Sequence, residues 1–457
     1  MRYTFYAESL WNHICEVIEC TYLNTSIGRF MTSAKSDSST KGNTPSKPMR
    51  RVAFYSHDGF GLGHFRRCLL LASRIQEHLE DVEILLITGS AKATFFKLPV
   101  RTRVAVMEPM TKDSSGEYIP RNPQINTLTA FRRRRDKLRK EILAFDPDLL
   151  IVDHVPTGLS GELIPLLPDL KSRGTRIAIG LRDIIDESET VRKSWKKSGA
   201  NLLVESLYDH IWVYGSKDVF DLGKLYHLSE TTNQRIEYLG YLKRISLSKL
   251  HKDFIDSLTL RRNSQKKIVC VAGGGEDGDP LGETFLQALS SFPNKYVGTL
   301  VTGPHLNRVT ARNLIDRFHQ FNNIEILRFT TNLEDHLRAA DVIVSMGGYN
   351  ATLEAIAVRK PTIIIPRVSP RKEQWIRAQK FSQKGLINMI HPDELTSEKL
   401  IEAIETGLES PHLKTVDELG LNMDGIGNFL SRVDEILSTM IRKRKEEEDV
   451  NDTLLRA

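Results

Sequence analysis

Hydrophobic residues along this chain form short runs of strand length, and each run is followed by a turn and a segment of helical periodicity. In the first half, the runs cover residues 51–57, 82–89, 103–108, 147–154, 175–183 and 209–216. In the second half, they cover residues 266–275, 296–303, 324–330, 340–348 and 361–367. Strands that alternate with helices are typical of parallel sheets covered by helices. The pattern predicts an α/β protein with two doubly wound, Rossmann-like domains.

Polar stretches mark the predicted boundaries of these domains. A Ser/Thr/Lys-rich composition makes residues 1–49 a predicted disordered N-terminal extension. The first domain is predicted over residues 50–240, and a linker over 241–265 separates it from a second domain over 266–420. Residues 421–457 are predicted to form an amphipathic helix that ends in a charged tail. A chain of 457 residues is long enough to bury two domain-sized cores.

The charge balance excludes a strongly basic protein. With 64 Lys and Arg against 58 Asp and Glu, the formal net charge is +6, which is small for this length. Nucleic acid is therefore not an expected partner. The densest basic run, from Arg132 to Arg135, predicts a solvated helix face, and contact with an anionic membrane surface or acceptor is the alternative.

The four cysteines are scattered and contain no CxxC pair, which favours a reducing, cytoplasmic compartment. No apolar run approaches the roughly 20 residues that span a bilayer. Peripheral contact with the inner face of a membrane stays open, because Phe95 and Phe96 lie beside Lys92 and Lys97. Core packing is the expected role of both aromatic side chains, and membrane contact is the alternative.

A first glycine-rich loop follows a predicted strand and precedes a helix expected near Leu281. Its candidate donor-binding residues are Gly273, Gly274, Gly275 and Glu276. Glycines let backbone amides approach a phosphate, and a helix N-terminus adds partial positive charge, although tight turns also use glycine for geometry. The motif Asp277-Gly278-Asp279 offers a metal-binding alternative, but its place behind a glycine turn favours helix capping. We therefore expect neither a bound metal nor another cofactor.

A second loop combines a Gly-Gly turn with the start of a helix. Its candidate donor-binding residues are Gly347, Gly348, Asn350, Ala351, Thr352 and Glu354. Amide and hydroxyl donors in the first turn of a helix suit a diphosphate. Glu354 either accepts both hydroxyls of a ribose or forms a surface salt bridge. The loop after the next strand adds Arg367, which can neutralise phosphate, and Glu373 and Gln374, which can bond sugar hydroxyls.

The stretch from Gly347 to Glu354, continued through Glu373 and Gln374, resembles the donor-binding half of family-28 glycosyltransferases. The best-known member of that family adds N-acetylglucosamine to lipid I in peptidoglycan synthesis. The resemblance spans most of residues 266–390 and implies a GT-B fold, in which two Rossmann-like domains face a cleft. It implies that the loop at Gly273 contacts the donor, that the helix after Gly348 receives the diphosphate, and that Glu354 and Gln374 hold the ribose and the transferred sugar.

The resemblance implies transfer of a hexosyl group, N-acetylhexosaminyl included, from a UDP-linked donor to a hydroxyl acceptor. A lipid-linked acceptor or a polysaccharide precursor fits this reaction, as in cell-envelope or polysaccharide biosynthesis. Nothing in the sequence resembles paired catalytic carboxylates or a covalent nucleophile with its own base. Direct displacement with inversion, without a metal, is therefore expected.

The N-terminal half departs from the lipid I enzyme, which has a Thr-Gly-Gly-His turn where this chain has residues 57–68. Both turns set a histidine at the mouth of the first helix, here His64, where Gly61 and Gly63 permit a close approach. A helix N-terminus disfavours the imidazolium form, so His64 can take a proton from an acceptor hydroxyl. A capping or structural role for His64 is the alternative.

Three further residues at predicted strand ends are candidates. Asp153 either orients His64 as a second catalytic residue or caps a helix after Pro156. His154 and Arg182 are placed on the acceptor side of the site.

A second resemblance keeps another reaction open. The segment GLGHFRRCLLLA, residues 61–72, is similar to the first turn of nucleotide-sugar hydrolases of pseudaminic-acid biosynthesis. In that family the matching histidine would activate water instead of an alcohol, and one fold supports both reactions. Hydrolysis is the first alternative to transfer, and a non-catalytic nucleotide-sugar-binding partner is the second.

Overall fold

The computed structural model describes residues 49–57, 63–113, 117–243, 265–273, 278–303, 306–330, 332–409 and 414–456. The predicted N-terminal extension up to residue 48 and residues 244–264 of the predicted linker lie outside these ranges. So do Gly61, Gly274, Gly275, Glu276 and Asp277.

Fifteen strands are described, and most coincide with the hydrophobic runs of the sequence. They are β1 (Arg50–Ser56), β2 (Val82–Thr88), β3 (Thr102–Val106), β4 (Met110–Lys112), β5 (Tyr118–Pro120), β6 (Leu149–Asp153), β7 (Arg176–Arg182), β8 (His210–Tyr214), β9 (Ile236–Tyr238), β10 (Lys266–Val271), β11 (Tyr296–Val301), β12 (Ile324–Leu327), β13 (Val342–Ser345), β14 (Thr362–Ile364) and β15 (Asn388–Met389).

Helices connect the strands. They are α1 (Gly63–His78), α2 (Thr127–Phe145), α3 (Leu167–Ser172), α4 (Ser188–Ser198), α5 (Ala200–Ser206), α6 (Leu222–Leu225), α7 (Glu230–Asn233), α8 (Asp279–Ser290), α9 (Arg308–Phe318), α10 (Leu333–Ala339), α11 (Tyr349–Ala357), α12 (Glu373–Gln383), α13 (Ser397–Glu409) and α14 (Gly425–Arg456), with short 3₁₀ turns at Ala91–Phe95, Leu159–Gly161 and Pro392–Glu394. Local sequence sets several ends: the Asn126 side chain accepts a hydrogen bond from the Thr129 amide at the start of α2.

The first sheet has seven strands in the order β3-β2-β1-β6-β7-β8-β9. β1 pairs in parallel with both β2 and β6. The near-continuous apolar sequence of these strands matches burial on both faces, as a helix-covered parallel sheet requires. The strand order reverses between β1 and β6, which is where open α/β sheets bind ligands.

The second sheet has six strands in the order β12-β11-β10-β13-β14-β15. β10 pairs in parallel with β11 and β13, so the strand order reverses between β10 and β13. Successive residues of β10 pack into two different hydrophobic cores. Ile268 belongs to a cluster with Phe285 of α8, and Val269 belongs to a cluster with Leu337 of α10. Helices therefore cover both faces of this sheet, as predicted for a doubly wound domain.

The chain forms two compact units. Unit 1 runs to Ile179 and takes in Trp195–Ile211 and the chain from Leu430 onward. Unit 2 comprises Gly180–Ser194 and Trp212–Phe429. The boundary passes through β7 and β8, and the domain ranges proposed from the sequence stay a prediction.

The structure corrects two predictions about the burial of basic and aromatic side chains. Arg134 is fully buried, so the prediction of a solvated face was wrong for this member of the basic run, whereas its three neighbours in the run are exposed. Phe95 is 86% exposed, so core packing was wrong for this side chain, whereas the Phe96 ring contacts the ring of Phe65. Within the described ranges, no helix has both the length and the apolar composition needed to cross a membrane.

Candidate functional site

A cluster of polar side chains lies where the strand order of the first sheet reverses, in unit 1. His57 directly follows β1, Asp153 ends β6, and Ser56 is paired with Asp153 across the two strands. α1 begins at Gly63, which places His64 in its first turn. The carboxyl ends of two neighbouring strands and the start of one helix therefore bring these residues together.

His64 and Asp153 are in direct contact. The Nδ1 atom of His64 lies 2.5 Å from Oδ2 of Asp153. Asp153 is buried, whereas His64 is partly accessible. A proton on Nδ1 donates to the carboxylate and leaves the lone pair of Nε2 available, which is the tautomer that a general base requires.

Arg67, one helical turn after His64, holds the same carboxylate with two hydrogen bonds. Its Nε donates to Oδ1 of Asp153 at 2.8 Å, and its Nη2 donates to Oδ2 at 2.7 Å. Burial by itself would raise the pKa of Asp153, but the charges of Arg67 and His64 outweigh this effect and hold that pKa well below its usual range. Asp153 is therefore ionised throughout the physiological pH range.

Two more imidazole rings adjoin His64. The ring centroid of His57 lies 4.6 Å from that of His64, and the centroid of His154 lies 5.3 Å from it. His154 is buried and has a positive φ of 72°, a conformation that non-glycine residues rarely adopt. Of the two glycines expected near this site, Gly63 is exposed at the start of α1.

The second candidate region lies in unit 2, at the end of β13. Gly347 has a φ of +82°, and a Cβ atom there would lie 2.8 Å from Cγ2 of Ile364. Gly348 is the N-cap of α11 and accepts a hydrogen bond from the Thr352 amide. The Thr352 side chain is buried, and its hydroxyl has no hydrogen-bond partner within the described ranges. Asn350, Ala351 and Glu354 follow on the same helix, as the sequence predicted.

Arg377 of α12 holds this turn in place. Its guanidinium donates to the Gly347 carbonyl at 3.3 Å and to the carboxylate of Asp183 at 2.8, 3.0 and 3.2 Å. It also lies over the ring of Tyr349, 5.4 Å from the ring centroid. The Tyr349 hydroxyl in turn donates to the carbonyl of Tyr214 at 2.7 Å. The start of α11 is therefore fixed by contacts on both sides.

The polar loop after β14 is linked to α12. Arg367 donates from Nη2 to Oε1 of Glu373 at 2.7 Å, so the positive charge expected to neutralise phosphate has a carboxylate partner. The Arg367 amide donates to Oε1 of Gln374 at 3.2 Å. The Oε2 atom of Glu373 is buried and has no hydrogen-bond partner in the part of the chain described.

The remaining predicted positions lie in separate places. Gly273 follows β10 with a φ of +65°, and no atom of the described residues lies within 4 Å of a Cβ built there. Arg182 ends β7 in unit 2, whereas His154 lies in unit 1. Asp279 opens α8, and no group of three or more acidic, histidine or cysteine side chains suited to a metal occurs among the described residues.

Sequence reasoning assigned no role to Arg67 or Arg377. A helical spacing could have indicated both, because Arg67 stands three residues after His64 and Arg377 four residues after Glu373, so each pair shares one face of its helix. Isolated arginines on amphipathic helices are ordinarily assigned to the solvated face, which is why the pattern did not single them out.

Residues 268–418 match the family model of the glycosyltransferase family 28 C-terminal domain. A Bacillus cereus (strain ATCC 10987 / NRS 248) UDP-N-acetylglucosamine--N-acetylmuramyl-(pentapeptide) pyrophosphoryl-undecaprenol N-acetylglucosamine transferase 1 is 28% identical over 183 residues, which are 39% of this chain and 49% of that protein. The chain thus spans about half the length of the curated relatives it matches. The predicted resemblance is confirmed for this segment, which is family-28-like.

Solved structures show the same fold. The calicheamicin glycosyltransferase CalG4 has a TM-score of 0.56 and 15% identity, over 85% of this chain and 98% of that one. The Acinetobacter baumannii MurG structure has a TM-score of 0.54 and 12% identity, over 85% of this chain and 100% of that one. At these sequence identities, the structural similarity supports a conclusion about the fold only. It confirms the predicted GT-B fold with two Rossmann-like sheets.

Proposed function

We propose that this chain is a glycosyltransferase that moves a hexosyl group, N-acetylhexosaminyl included, from a UDP-linked donor to a hydroxyl acceptor. The observation that carries the proposal is the contact between His64 and Asp153 at the reversal of strand order in unit 1. The family-28-like segment supports the donor half of the proposal. The relatives' printed names, which state transfer from UDP-N-acetylglucosamine to an undecaprenol-linked acceptor, support a UDP donor and a lipid-linked acceptor.

His64 is the proposed base. Its Nε2 takes the proton of the acceptor hydroxyl while the acceptor oxygen forms a bond to the anomeric carbon of the sugar. The bond between that carbon and the diphosphate oxygen breaks, UDP leaves with the electron pair, and the anomeric configuration inverts. Asp153 accepts a hydrogen bond from Nδ1–H of His64 throughout, stays ionised, and stabilises the imidazolium that forms. No step in this scheme draws on a metal.

The first turn of α11 is the proposed diphosphate site. A helix N-terminus presents backbone amides and partial positive charge to an anion. The buried Thr352 hydroxyl, which has no partner among the described residues, gives the site a further polar group. Glu354 is proposed to hold the ribose, Gln374 and Glu373 the sugar, and Gly273 to approach the donor, with Arg367 held against Glu373.

The test is a donor screen on the full chain. UDP-sugars are incubated with lipid-linked and soluble acceptors, and UDP release is measured for the wild type, His64→Ala and His78→Ala. His78 is a matched control because it is an exposed histidine on the same helix. Loss of a general base should lower acceptor-dependent release by about 100-fold or more in His64→Ala and leave the control unchanged.

Other outcomes would change the proposal. Release of UDP and free sugar with water alone, at the same rate with and without acceptor, would establish hydrolysis instead of transfer. UDP-sugar binding without turnover under any condition would favour a non-catalytic binding partner. Full activity of His64→Ala would remove this histidine from the mechanism.

A further inference from the structure

Arg67 contacts both members of the His64–Asp153 pair. Besides its two hydrogen bonds to the carboxylate, its Nη2 lies 3.0 Å from Nδ1 of His64. Nδ1 cannot both donate to Asp153 and accept from Arg67, and the 2.5 Å contact with a carboxylate assigns the proton to Nδ1. The guanidinium therefore acts on His64 through its positive charge and not through a hydrogen bond.

The position of Arg67 changes the effect of Asp153 on the protonation of His64. A carboxylate in contact with an imidazole stabilises the protonated ring, which cannot act as a base. A cation next to the same ring has the opposite effect, and the Arg67 side chain is only 3% exposed, so water screens its charge poorly. Arg67 thus counteracts the effect of Asp153 on the protonation of His64, while the hydrogen bond from Nδ1–H to Asp153, which selects the tautomer, remains.

Other titratable groups also face His64. His57 approaches from the end of β1 and His154 from the end of β6, beside Asp153, while Arg67 approaches from the same helix. Neither of the two neighbouring histidines carries a negative charge in any protonation state. Among the described residues that face His64, Asp153 therefore favours the protonated ring. Arg67 disfavours the protonated ring, and it does so at every accessible pH because a guanidinium stays charged.

We propose that Arg67 is a positioning residue that keeps His64 neutral, with its proton on Nδ1, at the pH at which the chain acts. This inference rests on the proposed function of His64 as a base, and it adds the residue that sets the pH range of that function. Arg67 itself is too buried to take part in the transfer of a proton from an acceptor.

The pH dependence of the rate tests the proposal. Acceptor-dependent UDP release is measured from about pH 5 to pH 10 for the wild type, Arg67→Gln and Arg66→Gln. Arg66 is a matched control because it is the adjacent arginine of α1 and is exposed. The acidic limb of the Arg67→Gln profile should move to higher pH by about 1 to 3 units, with much of the rate recovered above it. A merely structural role would lower the rate equally at every pH, and an acidic limb that does not move would overturn the proposal.

A second measurement does not depend on glycosyl transfer. The His64 ring signals are followed by NMR during a pH titration of the full chain and of both variants, with His64→Ala to assign them. The His64 midpoint should move upward in Arg67→Gln by the same amount as the acidic limb and stay in place in Arg66→Gln. An unmoved midpoint would overturn the proposal, whereas a moved midpoint in a chain without transferase activity would support the charge effect and refute the proposed function.

Arg67→Lys carries the test if the glutamine variant does not fold. Lysine keeps the positive charge but lacks the second hydrogen bond to Asp153. Its acidic limb and its His64 midpoint should therefore lie within about half a pH unit of the wild type even if its maximal rate falls. A displacement of about one unit or more would show that the charge at this position does not set the protonation of His64.

Discussion

The buried ion pair between Asp183 and Arg377 gives the sharpest prediction about stability in unit 2. The side chains are 0% and 1% exposed, and the guanidinium makes three hydrogen-bond contacts to the carboxylate. Burial would lower the pKa of Arg377, but the charge of Asp183 outweighs this effect and the pKa is raised. A guanidinium does not lose its proton in proteins, so Arg377 stays charged even when Asp183 is replaced by Asn.

The expected loss follows from that stranded charge. Breaking a buried pair by removing one partner costs about 3–5 kcal/mol of unfolding free energy, because the remaining ion keeps its desolvation penalty. For a unit of this size, 1 kcal/mol corresponds to about 2–4 °C in melting temperature. Asp183→Asn should therefore lower the melting temperature of unit 2 by roughly 6–20 °C.

The assay is calorimetric unfolding of the full chain, with an exposed pair of the same unit as the control. Arg359 and Asp417 form an ion pair whose side chains are 59% and 66% exposed, so Asp417→Asn should cost less than about 1 kcal/mol. Adding Arg377→Met to Asp183→Asn should recover part of the loss, because the unpaired charge is then gone. Equal melting temperatures for Asp183→Asn and Asp417→Asn would refute this reasoning.

Two further predictions concern the proposed donor and acceptor sites. Gly347→Ala should weaken UDP binding and lower the melting temperature, because φ is +82° and the new Cβ would meet Ile364. Gly348→Ala is the control, because a Cβ there has no atom of the described residues within 4 Å. Calorimetric titration with UDP compares the two variants, and equal affinities would contradict the assignment. The depressed pKa of Asp153 contributes stability that is fully present above about pH 4 and is lost as the pH falls below it. Urea unfolding between about pH 6 and pH 2 should therefore show a steeper acid loss for the wild type than for Asp153→Asn, and parallel curves would contradict it.

Hydrophobic runs were sufficient to predict the long strands, because a strand buried on both faces leaves an almost uninterrupted apolar sequence. β9 and β15 have three and two residues of intermediate burial, and no such run marks them. The hairpin of β4 and β5 likewise consists of three-residue strands. Its pairing depends on residues brought together in three dimensions, which a local pattern does not contain.

The sequence predicted those residues of the candidate site that lie at the end of a strand or the start of a helix. His64 and Asp153 were placed at the mouth of one helix and the end of one strand, and the structure brings them into contact. Arg67 was not predicted, nor was the buried pair of Arg134 with Glu162, because the sequence of an arginine does not reveal whether its helix face is covered. The pairing of β1 with β6 brings up the Asp153 carboxylate, which compensates the burial of the Arg67 charge.

That strand pairing also sets when the site can arise during folding. His64 and Asp153 are separated by 89 positions, and the intervening chain contains β2, β3 and α2. Closing so long a loop costs chain entropy, and parallel pairing of distant strands is slow relative to helix formation. A nascent chain that has not yet extended beyond β3 already contains the histidine and the arginine but lacks the residue that selects the tautomer. The contact between His64 and Asp153 can therefore form only once β6 has docked beside β1.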